Sequence, residues 1–293
     1  MSIKDNALLV SLTVNKPQMT QKDQKATTDA ERANDAHGAG QYRKDLYPKS
    51  LIQPILTVEG AARAYMESTT YMWTRGEYLL PTSRFMTFAE RMATYELEFN
   101  QTVTVFLNNW ANVMDKAKLA QGALFDPGAY PDLTDLRNDF RFRVMYRPVV
   151  DAGDFRVQMQ EEELSLLRQQ VEEATRESMN AILRMPLERL KEVVAHLHEV
   201  TGRPDRKVIN KRTGAEEIKP PIFRDSVCEK IIDEIALLHD FAEVLPPNVL
   251  AVAKTTANIL PKPQDLRDDP EKRSVVNQQA QKLLSVIDNM LED

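Results

Sequence analysis

Apolar residues recur at steps of three and four along most of the chain, and this spacing predicts amphipathic helices. The runs that carry the pattern cover residues 51–73, 84–120, 160–200, 223–245, 248–259 and 269–291. Ser83 is a suitable N-cap for the run that begins at residue 84. Since only a short turn separates the first two runs, we expect them to form an antiparallel helix pair.

Short apolar stretches between the helical runs predict a few β-strands. Residues 7–14 form a continuous β-branched and apolar run, which favours a buried strand. Residues 140–146 form an extended segment in which apolar and basic side chains alternate from Phe140 to Val144, so the two types lie on opposite faces of a strand. Residues 77–80 and 154–159 are two further short extended segments. We expect these strands to form a small sheet that packs on the helices.

The run at 160–200 and the returning run at 223–245 predict a long helical arm. Glycine and proline end the first run, and Pro186 inside it is expected to kink or divide the helix. The polar stretch 205–219 between the two runs predicts a small hairpin at the tip of the arm.

The polar segment 20–40 has a weak apolar stripe and leaves two interpretations open. It is either a solvated helix or a segment without stable structure. The fold class predicted from the whole pattern is mainly α with a small β-sheet and a long antiparallel helical hairpin arm, an α+β protein. Its predicted parts are a helical domain with the sheet at 1–159, the arm at 160–245 and C-terminal helices at 246–293.

Composition supports a folded, helix-rich chain. Hydrophobic residues make up 42% and charged residues 28% of the 293 positions, which is an ordinary globular balance. The net charge of −6 argues mildly against a protein that coats nucleic acid. A single cysteine, Cys228, excludes an internal disulfide, and no signal peptide or long apolar span is recognisable. These features predict a cytoplasmic protein without a membrane segment.

The motifs of common enzymes are missing from the sequence. It contains no G-x-x-x-x-G-K-[ST] phosphate loop and no G-x-S-x-G nucleophile turn. His196 and His198 are two residues apart on a helix, so they face different sides and do not form a metal-binding pair. Cys228 falls on an apolar helix face and is interpreted as a small core residue. We therefore expect no enzymatic activity, no metal and no cofactor.

The predicted strand at 140–146 is a candidate nucleic-acid site. Arg141, Arg143 and Arg147 combine with Phe142 and Tyr146, and cations beside aromatic rings bind single strands through phosphate contact and base stacking. The alternative interpretation is an amphipathic strand whose aromatic side chains lie in the core and whose arginines lie in water.

A second basic cluster lies at the predicted tip of the arm. Arg206, Lys207, Lys211 and Arg212 could contact phosphate or an acidic partner. The alternative is an ordinary exposed hairpin, because neighbouring carboxylates dilute the positive charge.

Four motifs give the chain a resemblance to a known family. They are the strand at 8–14, the Gly-to-Pro segment at 76–81, the sequence FLNNW at 106–110 and the sequence DAGDFRV at 151–157. Together they resemble an uncharacterised family of phage and prophage proteins over roughly the first 160 residues. Genes of that family lie near those for MoxR-type AAA+ ATPases and von Willebrand factor A proteins. The resemblance implies an accessory or adaptor role and supplies no catalytic residues.

Two hypotheses for the function follow. The first is a non-enzymatic phage accessory or adaptor protein of the bacterial host cytoplasm. It would act through protein–protein contacts with a second copy of itself or with an AAA+ ATPase. The alternative is a single-stranded nucleic-acid-binding protein of phage replication or recombination. A hydrolase with an unrecognised site is a third, weaker option.

Overall fold

The computed structural model describes residues 3–149, 161–209, 216–219, 221 and 223–292. Helices and strands follow in chain order as α1 (Ile3–Asn6), β1 (Ala7–Asn15), β2 (Thr20–Lys22), α2 (Gln24–Ala33), β3 (Arg43–Asp45), α3 (Lys49–Thr69), β4 (Tyr71–Thr74), β5 (Glu77–Pro81), α4 (Phe85–Asn108), α5 (Trp110–Gln121), α6 (Leu133–Asp139), β6 (Arg141–Pro148), α7 (Glu161–Thr201), β7 (Arg206–Ile209), β8 (Glu216–Lys219), α8 (Ser226–Asp240), α9 (Pro247–Ile259), α10 (Pro263–Asp268) and α11 (Pro270–Glu292).

The fold class is the predicted one, mainly α with a small antiparallel sheet. Four strands form that sheet in the order β4-β5-β1-β6, and β2-β3 and β7-β8 form two separate ribbons. The strands expected at 7–14, 77–80 and 140–146 are present as β1, β5 and β6. The strand expected at 154–159 lies outside the described residues.

Contacts divide the chain into two compact units. Unit 1 comprises Met1–Leu9, Thr69–Arg84 and Arg147–Asp293, and unit 2 comprises Val10–Ser68 and Phe85–Tyr146. This division differs from the segments expected at 1–159, 160–245 and 246–293. A division along the sequence separates consecutive segments, whereas each compact unit is built from segments that are distant in sequence.

Unit 1 is built around the C-terminal half of α7. Buried residues of this half include Ile182, Leu190 and Leu197, each of which is 0% exposed. Helix α11 runs antiparallel to α7, because the Asn277 amide donates to the His198 carbonyl at 2.7 Å and Lys191 pairs with Asp288 at 2.6 Å. The last helix of the chain is therefore a principal partner of α7.

The two helices of the predicted arm are present, but they pack with a third helix that the prediction did not include. Helix α8 packs against α7 as expected, with Ile231 and Leu197 in one buried cluster. Helix α11, which the sequence assigned to a separate C-terminal part, packs along α7 as well. Helix α7 is not divided at Pro186. Between residues 165 and 177 no described side chain of α7 is buried, so this part of the helix contributes little to the core.

The hairpin expected between the two arm helices is present. Strands β7 and β8 pair antiparallel, with Arg206 opposite Lys219 and Ile209 opposite Glu216. Residues 210–215, which connect the two strands, lie outside the described residues.

The helix expected at 51–73 ends earlier than its apolar pattern suggested. Helix α3 stops at Thr69, and the aromatic-rich β4 then pairs with β5. Gly76 has a φ of +87°, a left-handed conformation that glycine adopts without a steric penalty. Aromatic side chains favour strands, and the tight turn at Gly76 makes this hairpin possible.

Unit 2 contains the antiparallel helix pair expected from the first two apolar runs. The Tyr65 ring of α3 stacks on Phe88 at 5.6 Å and meets Tyr95 at 6.0 Å between ring centroids. The run expected at 84–120 forms two helices, α4 and α5, which meet at Asn109.

The polar segment 20–40 contains a helix, so the first of its two interpretations is correct in the structure. Helix α2 begins after Asp23, whose side chain accepts a hydrogen bond from the Ala26 amide at 2.9 Å. This cap satisfies a free amide of the first turn. The Lys44 ammonium is buried beside α2 and lies 3.4 Å from the Asp23 carboxylate.

Candidate functional site

The aromatic residues of the candidate strand belong to the core of unit 2. Phe142 is buried against Phe99, with 5.6 Å between the ring centroids. Tyr146 is half-buried and meets the edges of Phe85 at 5.1 Å and Phe88 at 6.4 Å. These rings already have protein partners, so they are not free to stack on nucleic-acid bases.

The arginines of β6 lie on its exposed side. Arg141 donates to the Asn138 carbonyl at 3.1 Å, and Arg147 pairs with Glu77 at 3.0 Å. In the described part of the chain, the exposed Arg143 side chain has no hydrogen bond or ion pair. The strand therefore has the amphipathic arrangement of the second interpretation, and Arg141 and Arg143 together offer charge without a stacking surface.

The arm-tip cluster is described only in part. Arg206 is exposed at the start of β7, while Lys211 and Arg212 lie outside the described residues. Lys207 occupies the next position of β7. Arg206 belongs to unit 1, whereas Arg141 and Arg143 belong to unit 2.

A buried ionic network in unit 1 was not foreseen from the sequence. The Glu234 side chain is 5% exposed and pairs with Arg189 at 2.8 Å. The Tyr71 hydroxyl donates to the same carboxylate at 3.1 Å, and Arg189 also donates to the Thr70 carbonyl at 3.2 Å. Burial raises the pKa of Glu234 and the Arg189 charge opposes that rise. Because its charged groups are paired inside the helical core, we assign this network a structural role.

Cys228 is confirmed as a small core residue. It is 2% exposed, and burial raises the pKa of its thiol to about 11. The thiolate needed for nucleophilic chemistry is therefore disfavoured at neutral pH.

An apolar groove of about 400 Å³ lies in unit 2 between α3 and the α4 and α5 helices. Its apolar lining residues are Leu51, Pro54 and Val58 on one side and Val105, Phe106 and Val113 on the other. Val105 is 69% exposed at the edge of the groove, while Phe106 is buried. Among the described residues that line it, Glu98 is the sole ionisable one.

The groove lies away from the aromatic contacts that join α3 and α4. The aromatic contacts of Tyr65 join α3 and α4 near the C-terminal end of α3, and the groove lies near the other end of α3. There Leu51, Pro54 and Val58 of α3 line the groove together with Phe106 of α4. The sequence pattern assigned the whole α4 stripe to a core and missed the groove. The available signal was Val105, an apolar residue outside the stripe.

The part of the chain that the structure describes contains no helix long and apolar enough to cross a membrane. It also contains no group of three or more histidine, cysteine or acidic residues placed to hold a metal ion. No family model, no curated protein and no solved structure matches the chain.

Proposed function

We propose that this protein is a non-enzymatic accessory or adaptor protein that binds a partner protein through the apolar groove of unit 2. The observation that carries the proposal is the apolar lining of the groove, contributed by α3 on one side and by α4 and α5 on the other. Grooves of this kind accept the apolar face of an amphipathic helix. The occupant that we propose is therefore a helix of the partner.

The exposed edge of the groove favours a helix over a small molecule. Small-molecule sites enclose most of their ligand. Here Val105 is 69% exposed, so the groove wall stands open to solvent along α4. Glu98 has no ion pair in the described part of the chain, and it would suit a lysine or arginine on the partner helix.

The resemblance to phage and prophage proteins supports the identity of a first partner to test. A MoxR-type AAA+ ATPase encoded near such genes is the candidate, and the host cytoplasm is the place where the two would meet. An adaptor of this kind would deliver the ATPase to a target by binding alone, without chemistry of its own.

Replacing Val105 with glutamate is expected to weaken partner binding by about tenfold or more, because it places a charge at the wall of an apolar groove. Since Val105 is largely exposed, the protein should remain folded by circular dichroism. The measurement is titration of the MoxR-type ATPase with the full-length protein. A photo-cross-linking residue at position 105 should in addition join the protein to a helix of the ATPase.

The matched control is Val275→Glu, which changes another exposed valine, 53% exposed on α11 in unit 1. It should leave the affinity unchanged. Equal binding by Val105→Glu and the unaltered protein would remove the groove from the proposal.

A second candidate function, binding of single-stranded nucleic acid, is favoured by one observation. Arg141 and Arg143 are exposed on the same face of β6 and point to phosphate contact. We expect any gel shift with single-stranded DNA to weaken in Arg141→Ala/Arg143→Ala. The logarithm of the binding constant falls linearly with the logarithm of the salt concentration. Losing two phosphate contacts should make this slope less steep by about 1–2. The absence of a shift at low salt would exclude this function.

A further inference from the structure

The side of α4 that faces away from the core carries a second regular stripe. Its residues follow one another at steps of four and three and are Met86, Glu90, Ala93, Leu97, Asn100 and Thr104. All six are exposed, with Met86 at 66% and Leu97 at 59%. Alternating steps of four and three are the spacing of a coiled-coil seam. The groove proposed for the partner lies on a different side of α4.

The exposed stripe is poor in charge for a solvent-facing helix surface. Glu90 is the single charged residue among its six positions. In the described part of the chain, neither the Glu90 carboxylate nor the Asn100 amide has a hydrogen-bond partner or ion pair. Depletion of charge around exposed methionine and leucine is typical of the central part of a protein interface.

We propose that α4 packs antiparallel against α4 of a second copy of this chain. In an antiparallel coiled coil, alternate seam positions of one helix face the intervening positions of the other. Leu97 of each copy then faces Ala93 of the other, so a large side chain meets a small one. Met86 faces Thr104, and Glu90 faces Asn100. Each of these pairs occurs twice, because a two-fold axis relates the copies.

The charge of Glu90 favours the antiparallel arrangement over the parallel one. A parallel pair places Glu90 against Glu90 of the second copy, and like charges on a desolvated seam repel. The antiparallel pair places Glu90 against Asn100, whose amide donates a hydrogen bond to the carboxylate. Glu90 and Asn100 therefore satisfy each other in the antiparallel orientation and not in the parallel one.

The length of the seam sets the expected strength of the contact. From Met86 to Thr104 the helix rises about 27 Å, so the contact is smaller than a standard interface of roughly 800 Å² per partner. The dimer should therefore be concentration-dependent, with a dissociation constant between about 1 μM and about 1 mM.

Sedimentation of the full chain over this concentration range tests the proposal. The unaltered protein should shift from monomer to dimer, and Leu97→Glu should raise the dissociation constant by about tenfold or more. Asn100→Lys should lower it by about threefold or more, because each new ammonium faces Glu90 of the other copy. Glu90→Lys/Asn100→Lys should abolish that gain by placing lysine against lysine.

Cross-linking tests the orientation. Chains with Ala93→Cys should be mixed with chains that carry Leu97→Cys, both in a Cys228→Ser background. The antiparallel seam predicts mainly mixed disulfides, whereas a parallel seam predicts mainly disulfides between like chains. A monomer at about 1 mM, a dimer unaffected by Leu97→Glu, or mainly like-chain disulfides would each overturn the proposal.

These outcomes are separable from those of the groove. Leu97→Glu should weaken the dimer and leave ATPase binding intact, whereas Val105→Glu should weaken ATPase binding and leave the dimer intact. Val275→Glu, the exposed control on α11, should leave both unchanged.

Discussion

Replacing Arg189 with methionine is expected to lower the free energy of unfolding of unit 1 by about 3 kcal/mol or more. Arg189 is the cation that pairs with the Glu234 carboxylate, whose side chain is 5% exposed. Removing the guanidinium leaves this carboxylate buried with the Tyr71 hydroxyl as a hydrogen-bond donor but without a counter-charge. An uncompensated buried charge is among the largest single destabilising effects in proteins.

Urea unfolding measured by Trp73 fluorescence tests this expectation, in a Trp110→Phe background. Trp73 lies in unit 1 and Trp110 in unit 2, so each tryptophan reports on its own unit. The matched control is Arg184→Met on the same helix. The Arg184 side chain is 62% exposed and pairs with Glu188, whose side chain is 54% exposed. This exposed pair should contribute about 0–1 kcal/mol. Equal losses in the two variants would contradict the buried role of Arg189.

The loss caused by Arg189→Met should depend on pH in a known direction. Burial holds the pKa of Glu234 above its ordinary value of 4.5, so the folded state binds the proton more tightly than the unfolded state. The stability from this group is therefore present at low pH and lost as pH rises through the folded pKa. Without Arg189 the pKa should rise further, so the deficit should be smaller near about pH 5 than near about pH 8. A pH-independent deficit would argue against Glu234 as its source.

Replacing Phe99 with alanine is expected to destabilise unit 2 by about 3–5 kcal/mol. Phe99 is 0% exposed and its ring contacts Phe140 at 6.4 Å and Phe142 at 5.6 Å between centroids. Truncation removes the contacts that join α4 to the start of β6 and leaves a cavity between them. Urea unfolding followed by Trp110 fluorescence, in a Trp73→Phe background, measures the change.

The control for Phe99 is Leu119→Ala on α5. Leu119 is 86% exposed, and truncation at such a surface position should change stability by no more than about 0.5 kcal/mol. Unfolding of Phe99→Ala at the same urea concentration as the unaltered protein would contradict the contacts of Phe99 with Phe140 and Phe142.

Strand β6 shows what the local sequence pattern predicts and what it leaves open. Alternation along residues 140–146 predicted a strand with aromatic side chains on one face and arginines on the other, and this is what the structure contains. The pattern left open whether the aromatic face meets protein or ligand, because both surroundings suit an aromatic ring. Contacts of Phe142 with Phe99 and of Tyr146 with Phe85 decide that the face meets protein.

Helix α4 illustrates the complementary limit. Its inward stripe predicted a core, and buried residues such as Phe88, Phe99 and Phe106 confirm it. The groove at Val105 and the exposed stripe at Leu97 depend on which faces of α4 the neighbouring elements cover. A single sequence does not show where neighbouring helices leave space, so the candidate surfaces emerged with the structure.

By itself the sequence determined the identity of most elements, because helix and strand periods depend on side chains a few residues apart. The long helix α7, the β7-β8 hairpin and the core position of Cys228 were all predictable in this way. The sequence also predicted the pairing of neighbouring elements, such as α7 with α8, whereas the tertiary structure alone decided the pairings between distant ones. Helix α11 lies along α7, and Glu234 meets Arg189 and Tyr71 across long sequence separations. Such contacts depend on the packing of whole faces, which no local spacing records.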